Sequence, residues 1–245
     1  MIIYGKNPII ELLSNPSSEI EELYLSRDYK RNDTSEILKT ARGRGIKTSS
    51  LTKESLTDLC QTNSHQGIAA RVKDFEYTDL ADTLSRAKEK REELLLLILD
   101  HLEDPQNLGA IIRTADVLGA HGVVIPKDRA ASVTPAVVKA SAGAVNHLPV
   151  SRVVNLANVI RDLKKKGVWI AGADSSSAKS VDQEDFKNLD IALVIGNEGK
   201  GLGQNIKSEC DFLVSIPQLG KVSSLNASVA AGIMIYEIIR QRNLN

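Results

Sequence analysis

Aromatic side chains are scarce: Phe, Trp and Tyr make up 4% of the 245 residues, so the core must be mainly aliphatic. Cysteine is nearly absent. Cys60 and Cys210 stand far apart, without CxxC or Cys/His spacing, which argues against a disulfide scaffold and a structural zinc site. Excess charge is also missing, because 31 Lys+Arg balance 31 Asp+Glu. That excludes a chain that holds nucleic acid by bulk positive charge, and an acidic solvating chain. The longest strongly apolar run, Leu94 to Leu99, is too short to span a bilayer. The opening MIIYGKNPIIELLSNP has no basic stretch followed by a small-residue cleavage site. The expectation is a cytoplasmic protein with no membrane partner and no metal. What remains is ordinary for a globular protein, with 42% hydrophobic and 25% charged residues and enough length for one large or two modest domains.

The pattern along the chain alternates. In the first part, helix-like spacing covers 7–14 and 34–42, the latter with Asp33 as N-cap, and a capped helix covers 52–60. Strand-like stretches cover 20–26, 46–50 and 67–72, giving a compact α/β unit over residues 1–72. Residues 73–90 are more polar, carry a helix from Asp79, and read as a connection between domains. From residue 91 to 245 the α/β character strengthens. LLLLILD (94–100) is a continuous apolar run, as expected of a strand buried on both faces of a parallel sheet. Further strands are expected at 122–125, 168–173, 191–195 and 212–216, and helices from 108, at 135–141 and 156–166, and from Ser224 to Arg240.

Three strand-end loops have unusual composition, and ligands in open parallel sheets sit beyond such ends. In DHLEDPQNLGAIIRTADVLGA (100–120), Asn107 and Arg113 lie within two helical turns and can address one cleft; a helix cap plus a surface Arg is the plainer alternative. LVIGNEGKGLG (193–203) holds Gly196, Gly199, Gly201 and Gly203, lacks the Walker A ending, and carries Glu198, an odd choice beside a phosphate. A structural turn fits it as well as a nucleotide cradle does. In VSIPQLGKVSSLNASVAAGIMIYEII (214–239), Ser223, Ser224 and Asn226 precede a helix rich in small residues, where capping is the ordinary role.

Together, NLGAIIRTA (107–115), LVIGNEGKGL (193–202) and IPQLGKVSSLNASVAAGI (216–233) resemble the three signature motifs of the SpoU/TrmH family of RNA ribose 2′-O-methyltransferases, in the SPOUT superfamily. SAGA (141–144) fits the same domain. YGKNPIIELL (4–13) and HQGIAARV (65–72) resemble the substrate-binding domain of the branch that methylates a guanosine ribose in 23S ribosomal RNA. The resemblance implies an α/β SPOUT domain with a parallel sheet and a deep trefoil knot, preceded by a small L30e/L7Ae-like α/β domain that presents RNA. It implies S-adenosylmethionine as cofactor, ribosomal RNA as the first candidate partner, and a homodimer with a shared active site. Carried over residue by residue, the cofactor positions are Gly196, Ile216 and Leu225, and the catalytic positions are Asn107, Arg113, Glu198, Ser224 and Asn226. Gln218-Leu219 stands where many relatives have Met, a packing variation. A transfer RNA ribose methylase and an antibiotic-resistance rRNA methylase are alternatives within the family. Outside it stand a non-catalytic RNA-binding assembly factor and a nucleotide-binding regulator.

Methyl transfer to a ribose hydroxyl consumes the sulfonium charge, so the expected site is apolar, holds the reactants in line and helps the hydroxyl lose its proton. A guanidinium with pKa above about 12 is a poor base, so Arg113 is expected to bind the adjacent phosphate and polarise the hydroxyl. Glu198 is expected to orient Arg113 or Asn107, and Ser224 and Asn226 to fix loop and substrate. Between Arg27 and Lys53, eight basic residues face three acidic ones, a local excess that reads either as a solvated face or as a phosphate-contacting surface. No chemistry is expected of His65, His101, His121, His147, Cys60 or Cys210.

Overall fold

The computed structural model describes residues 1–14, 18–29, 34–221 and 224–243. The expected cap Asp33 and the basic residues Lys30 and Arg31 lie outside them. The first elements are β1 (Ile2–Tyr4), α1 (Lys6–Ser14), β2 (Ile20–Ser26), α2 (Thr34–Gly43), β3 (Lys47–Leu51), α3 (Lys53–Cys60) and β4 (Ile68–Val72). They form a mixed sheet in the order β1-β4-β2-β3, with β4 antiparallel to β1 and β2, and β2 parallel to β3. Helix α3 starts where Thr52 Oγ1 accepts the Ser55 amide at 3.2 Å, as its cap spacing predicted.

Helix α4 (Leu80–Lys90) follows, capped by Asp79, which accepts the Ala81 amide at 2.8 Å. It is more than a tether: Ala87 is buried, and Leu80 and Leu84 pack with it against Leu94, Leu96 and Ile98 of the next sheet. The remaining elements are β5 (Leu95–Asp100), α5 (Pro105–Val117), β6 (Gly122–Pro126), α6 (Pro135–Ala140), β7 (Val150–Val153), α7 (Leu156–Lys165), β8 (Trp169–Ala173), β9 (Ile191–Gly196), α8 (Gln204–Lys207), β10 (Phe212–Val214) and α9 (Ala227–Asn243). Their sheet is parallel throughout, in the order β10-β8-β9-β5-β6-β7.

Every residue of β5 and β9 is buried. The twofold alternation of a strand sends Leu95, Leu97 and Leu99 into one core, and Leu96 and Ile98 into the core on the other face. Both faces being covered explains the unbroken apolar run. After β5 the chain winds outward through β6 and β7, then returns to build β8 and β9 on the opposite side. The reversal falls between β5 and β9, where Asp100 is in register with Gly196, the place where such sheets open a crevice.

The apolar core that includes Leu95, Leu97 and Leu99 continues into the small sheet through Val137, Val138, Ile3 and Leu12. Gly143 adopts φ 91°, and a Cβ there would stand 2.1 Å from Glu11 Cγ, so this approach of the two sheets requires glycine. His147 meets the Glu11 carboxylate beside it.

Several boundaries differ from the sequence expectation, among them the end of α9, which runs to Asn243 and not Arg240. Helix α5 starts at Pro105, not Leu108, because Asp104 accepts the Gln106 amide at 3.0 Å and Pro105 suits a first-turn position. Helix α9 starts at Ala227, not Ser224, since Asn226 Oδ1 accepts the Ser228 amide at 3.0 Å. Strand β10 ends at Val214; Ser215 adds only a single bridge to Ser180. The short β1, β7 and α8 were not anticipated.

Candidate functional site

Gly196, at the end of β9, fits because it has no side chain. A Cβ on it would lie 2.2 Å from the Gly201 carbonyl carbon and 2.5 Å from the Leu202 nitrogen, so this loop closes only over glycine. Backbone bonds between Asn197 and Gly201, of 3.1 and 2.9 Å, fold 197–201 back on itself. From behind, buried Asp100 Oδ2 accepts the Gly203 amide at 2.7 Å, and Asn197 Nδ2 donates to the His101 carbonyl at 2.8 Å.

The hairpin carries Glu198 to the start of two helices. Its Oε1 accepts Asn107 Nδ2 at 2.7 Å, Asn226 Nδ2 at 2.6 Å and the Ala227 amide at 3.2 Å. Asn226 Nδ2 also donates to Asn107 Oδ1 at 2.9 Å. These bonds join positions 28, 91 and 119 residues apart in the chain. The reading of Asn107 as a plain helix cap is thus replaced: Asp104 caps α5, and Asn107 serves the cluster. Asn226 does both, capping α9 with its oxygen and binding the cluster with its nitrogen.

Beside this cluster a cleft encloses about 970 Å³, mouth included. Of the expected residues, Gly196, Glu198, Ile216, Ser224 and Leu225 line it. Ile195, Ala227, Ala230 and Met234 add an apolar wall, and the glycine hairpin presents main chain. An apolar wall with exposed main chain and few polar side chains suits an adenosyl group and a sulfonium, which need stacking space and hydrogen bonds more than a counter-charge. Asp174 and Ser175 also line the cleft and were missed. An Asp just past a parallel strand was the available signal, but only the fold shows that β8 ends beside β9. Burial alone would raise the Asp174 carboxyl; the Lys207 ammonium and the Ser176 amide and hydroxyl outweigh it and hold it below its usual range.

Arg113 is not brought to the cleft within one chain. Six residues of α-helix turn it ~120° from Asn107; Asn107 is buried, while Arg113 is exposed. Of the two partners expected for Glu198, the structure gives Asn107 and not Arg113, and adds Asn226. Arg113 shares a helix face with Val117, one turn on and 75% exposed. Alongside, α9 exposes Val229, Ile233 and Tyr236 at i, i+4, i+7 spacing.

The basic stretch of the small domain does not survive whole either. Arg44 turns inward, donating to the Leu12, Leu13 and Ser18 carbonyls at 2.8, 3.0 and 2.5 Å, and Lys47 pairs with Glu22 at 3.0 Å. Arg27, Lys39, Arg42 and Lys53 stay exposed. Burial pushes the thiols of Cys60 and Cys210 up to about 11 and about 12, which leaves both without thiolate character near neutrality.

A switch-point cleft in a parallel sheet, walled by a glycine hairpin and edged by an Asn–Glu–Asn cluster, defines an α/β protein built to bind a small cofactor beside a polar reaction centre. Comparison with known proteins supplies the rest. Residues 94–236 match the SpoU rRNA Methylase family, and residues 2–78 match the domain described as RNA 2'-O ribose methyltransferase substrate binding. The chain is 45% identical over 245 residues to the TrmH family tRNA/rRNA methyltransferase YacO of Bacillus subtilis, covering 98% of this chain and 96% of that protein. The crystal structure of the SpoU methyltransferase AviRb from Streptomyces viridochromogenes in complex with AdoMet superposes with a TM-score of 0.80 at 30% identity, over 98% of this chain and 90% of that one. An AdoMet-bound rRNA methyltransferase from Sinorhizobium meliloti gives 0.78 at 26%, over 98% and 86%. The chain belongs to the SpoU/TrmH family of RNA methyltransferases, enzymes that use S-adenosylmethionine.

Proposed function

We propose that this protein methylates a ribose 2′-hydroxyl of ribosomal RNA, with a guanosine of 23S RNA as the first candidate. The observation that carries the reading is the Asn107–Glu198–Asn226 cluster at the edge of the cleft lined by Gly196, Ile216 and Leu225. Those three residues, with Ser224, would hold S-adenosylmethionine, which supplies an electrophilic methyl group. Glu198 fixes both asparagines and ties the hairpin to the start of α9, so the polar edge is set before substrate arrives. The apolar wall of Ile195, Ala230 and Met234 excludes water from the transfer path.

The homodimer expected from the family belongs to the same proposal. Val117, Val229, Ile233 and Tyr236 form an exposed apolar surface on α5 and α9, larger than scattered surface hydrophobics need to be. Seating a second copy there carries Arg113, on the same face, toward the partner's cleft, where it binds the phosphate beside the reacting ribose and polarises the hydroxyl. The proton then leaves to that phosphate or to water. The trefoil knot is proposed with it; the Val181 amide, bonded to the Ser215 carbonyl at 2.8 Å, holds the segment after β10 beside the cleft. So is the division of labour at 72/91, in which residues 1–72 present RNA through Arg27, Lys39, Arg42 and Lys53, and 91–245 hold the cofactor.

Two measurements test the reading. Mapping 2′-O-methylation across total RNA with and without the gene identifies the nucleotide; an unchanged map rejects the reading. Arg113→Ala should nearly abolish turnover with little change in cofactor affinity by calorimetry. Mixing Arg113→Ala with Glu198→Ala subunits should then restore part of the activity. No recovery after subunit exchange would place Arg113 and Glu198 in one subunit's site.

A further inference from the structure

A second cleft opens at the C-terminal end of the same sheet, on the far side of the glycine hairpin. It encloses about 1000 Å³, mouth included, and is lined by the ends of β5 and β6, the start of α7 and α8. Asp100 and His101 form the wall it shares with the hairpin. The same two residues hold that hairpin, through the Gly203 amide and the Asn197 side chain. One thin layer of chain therefore separates this cleft from the cofactor cleft.

Its chemistry is specific. Arg129 stands at the tip of a short loop pinned at both ends, by the Lys127 amide on the Val153 carbonyl at 2.7 Å and the Ala131 amide on the Leu102 carbonyl at 2.8 Å. Arg129 adopts φ 52°, a left-handed conformation that is uncommon outside glycine. Among the described residues its guanidinium has no hydrogen bond or ion pair, and neither has the neighbouring Asp128 carboxylate. The side-chain amides of Gln204 and Asn205, both exposed on the opposite rim, are likewise without partners. Pro126 and Val154, the latter 81% exposed, give an apolar surface between them.

One unpaired cation, one unpaired carboxylate beside the bonded Asp100, two free amides and an apolar surface do not suit a polyanion such as a nucleoside triphosphate, which Asp128 would repel. They suit a unit that carries one negative charge, hydrogen-bonding edges and a flat apolar face. That is one nucleotide of a single-stranded RNA.

We propose that this cleft binds a nucleotide flanking the methylated one, with its phosphate on Arg129, its base against Val154 and Pro126, and its polar edge read by Gln204, Asn205 and Asp128. The inference rests on the RNA methyltransferase reading and deepens it: the flanking nucleotide would set which RNA is accepted. Because Asp100 and His101 line this cleft and also hold the hairpin that bounds the other, an occupied flanking site also presses on the hairpin that carries Glu198.

The test uses the full chain and a 16-nucleotide single-stranded RNA of mixed sequence. Arg129→Ala should raise the Kd for this RNA about tenfold and reduce the slope of log K against log salt by about 0.7, the loss of one phosphate contact on a single strand. Arg129→Lys should recover the slope. The double variant Gln204→Ala/Asn205→Ala should weaken binding several-fold and leave the slope unchanged. S-adenosylmethionine affinity should stay within about twofold throughout. Wild-type affinity and slope in Arg129→Ala would overturn the proposal; so would a parallel loss of cofactor affinity, which would make Arg129 a support of the fold. Transfer of labelled methyl groups to total RNA separates this inference from the one beneath it. Arg129-dependent RNA binding without any transfer rejects the enzymatic reading and keeps the cleft. Transfer and RNA binding both indifferent to Arg129 reject the cleft and keep the enzyme.

Discussion

The turn at His65–Gly67 and the hairpin at Gly196–Gly203 are made from the same kinds of residue: glycine, an amide side chain and titratable groups. In the small sheet those groups are bonded within the turn and to the two helices packed beside it. His65 is buried, its Nδ1 accepts the Gly67 amide at 3.0 Å, and its Nε2 meets Thr57 Oγ1 at 3.1 Å. Gln66 Oε1 accepts the Lys6 amide at 2.9 Å. The turn is closed, and it aligns β4 between its neighbours. In the large sheet Glu198 reaches out of its hairpin to two other segments, and the space between them is a cleft. Polar residues that tie a turn to the helices packed against it hold a fold, whereas polar residues bonded across three converging loops leave a site between them.

The sharpest way to break this contrast is Gly196→Ala. The added methyl would meet the Gly201 carbonyl and the Leu202 nitrogen, both backbone, and neither can swing aside. Calorimetry should then detect no S-adenosylmethionine binding, and stability should fall by about 1–3 kcal/mol. Cofactor binding near the wild-type level would show that the hairpin can close in another way. Arg44→Ala attacks the other side. It removes a guanidinium from three carbonyls at the end of α1 and should cost about 2 kcal/mol in urea unfolding. Cofactor affinity should hold, and a matching loss would mean that the two sheets fold and bind as one unit.

The smallest effect concerns pH. Burial, with Lys53 nearby, holds the His65 imidazole below its usual range. Between that depressed value and 6.5 the unfolded chain binds a proton that the folded chain refuses, so stability is complete above 6.5 and declines as pH falls below it. The slope is at most about 1.4 kcal/mol per pH unit. The melting temperature should fall between pH 7 and 5.5, and His65→Gln should flatten that dependence. An unchanged slope in the variant would assign the decline to other groups.

Much of this was legible along the chain. The run at 94–100 announced a doubly buried central strand, and Thr52 and Asp79 announced helix starts, because caps and periodicity act over a few residues. Gly196, Glu198, Ser224, Leu225 and Ile216 were read from their motifs, and the fold brings them to one cleft. Arg113 was also read from its motif, yet the rotation of α5 turns it onto the exposed face. Counting charge between Arg27 and Lys53 overstated the basic surface, since Arg44 and Lys47 are committed to carbonyls and to Glu22. Asp100 and His101 carried no signal of their own; their importance comes from the loop that β9 places beside them.

The sequence by itself determined the parallel α/β character, most of the strands and helices, and the residue types available for chemistry. These follow from interactions between near neighbours, whose geometry is set by backbone period and side-chain shape. The tertiary structure decided which polar residues meet. The bonds of Glu198 to Asn107 and of Asn226 to Asn107 span 91 and 119 residues, and exist because β5 and β9 pair at the sheet's reversal. No local preference encodes that pairing; it emerges when two strands, apolar on both faces, are buried together between two layers of helices.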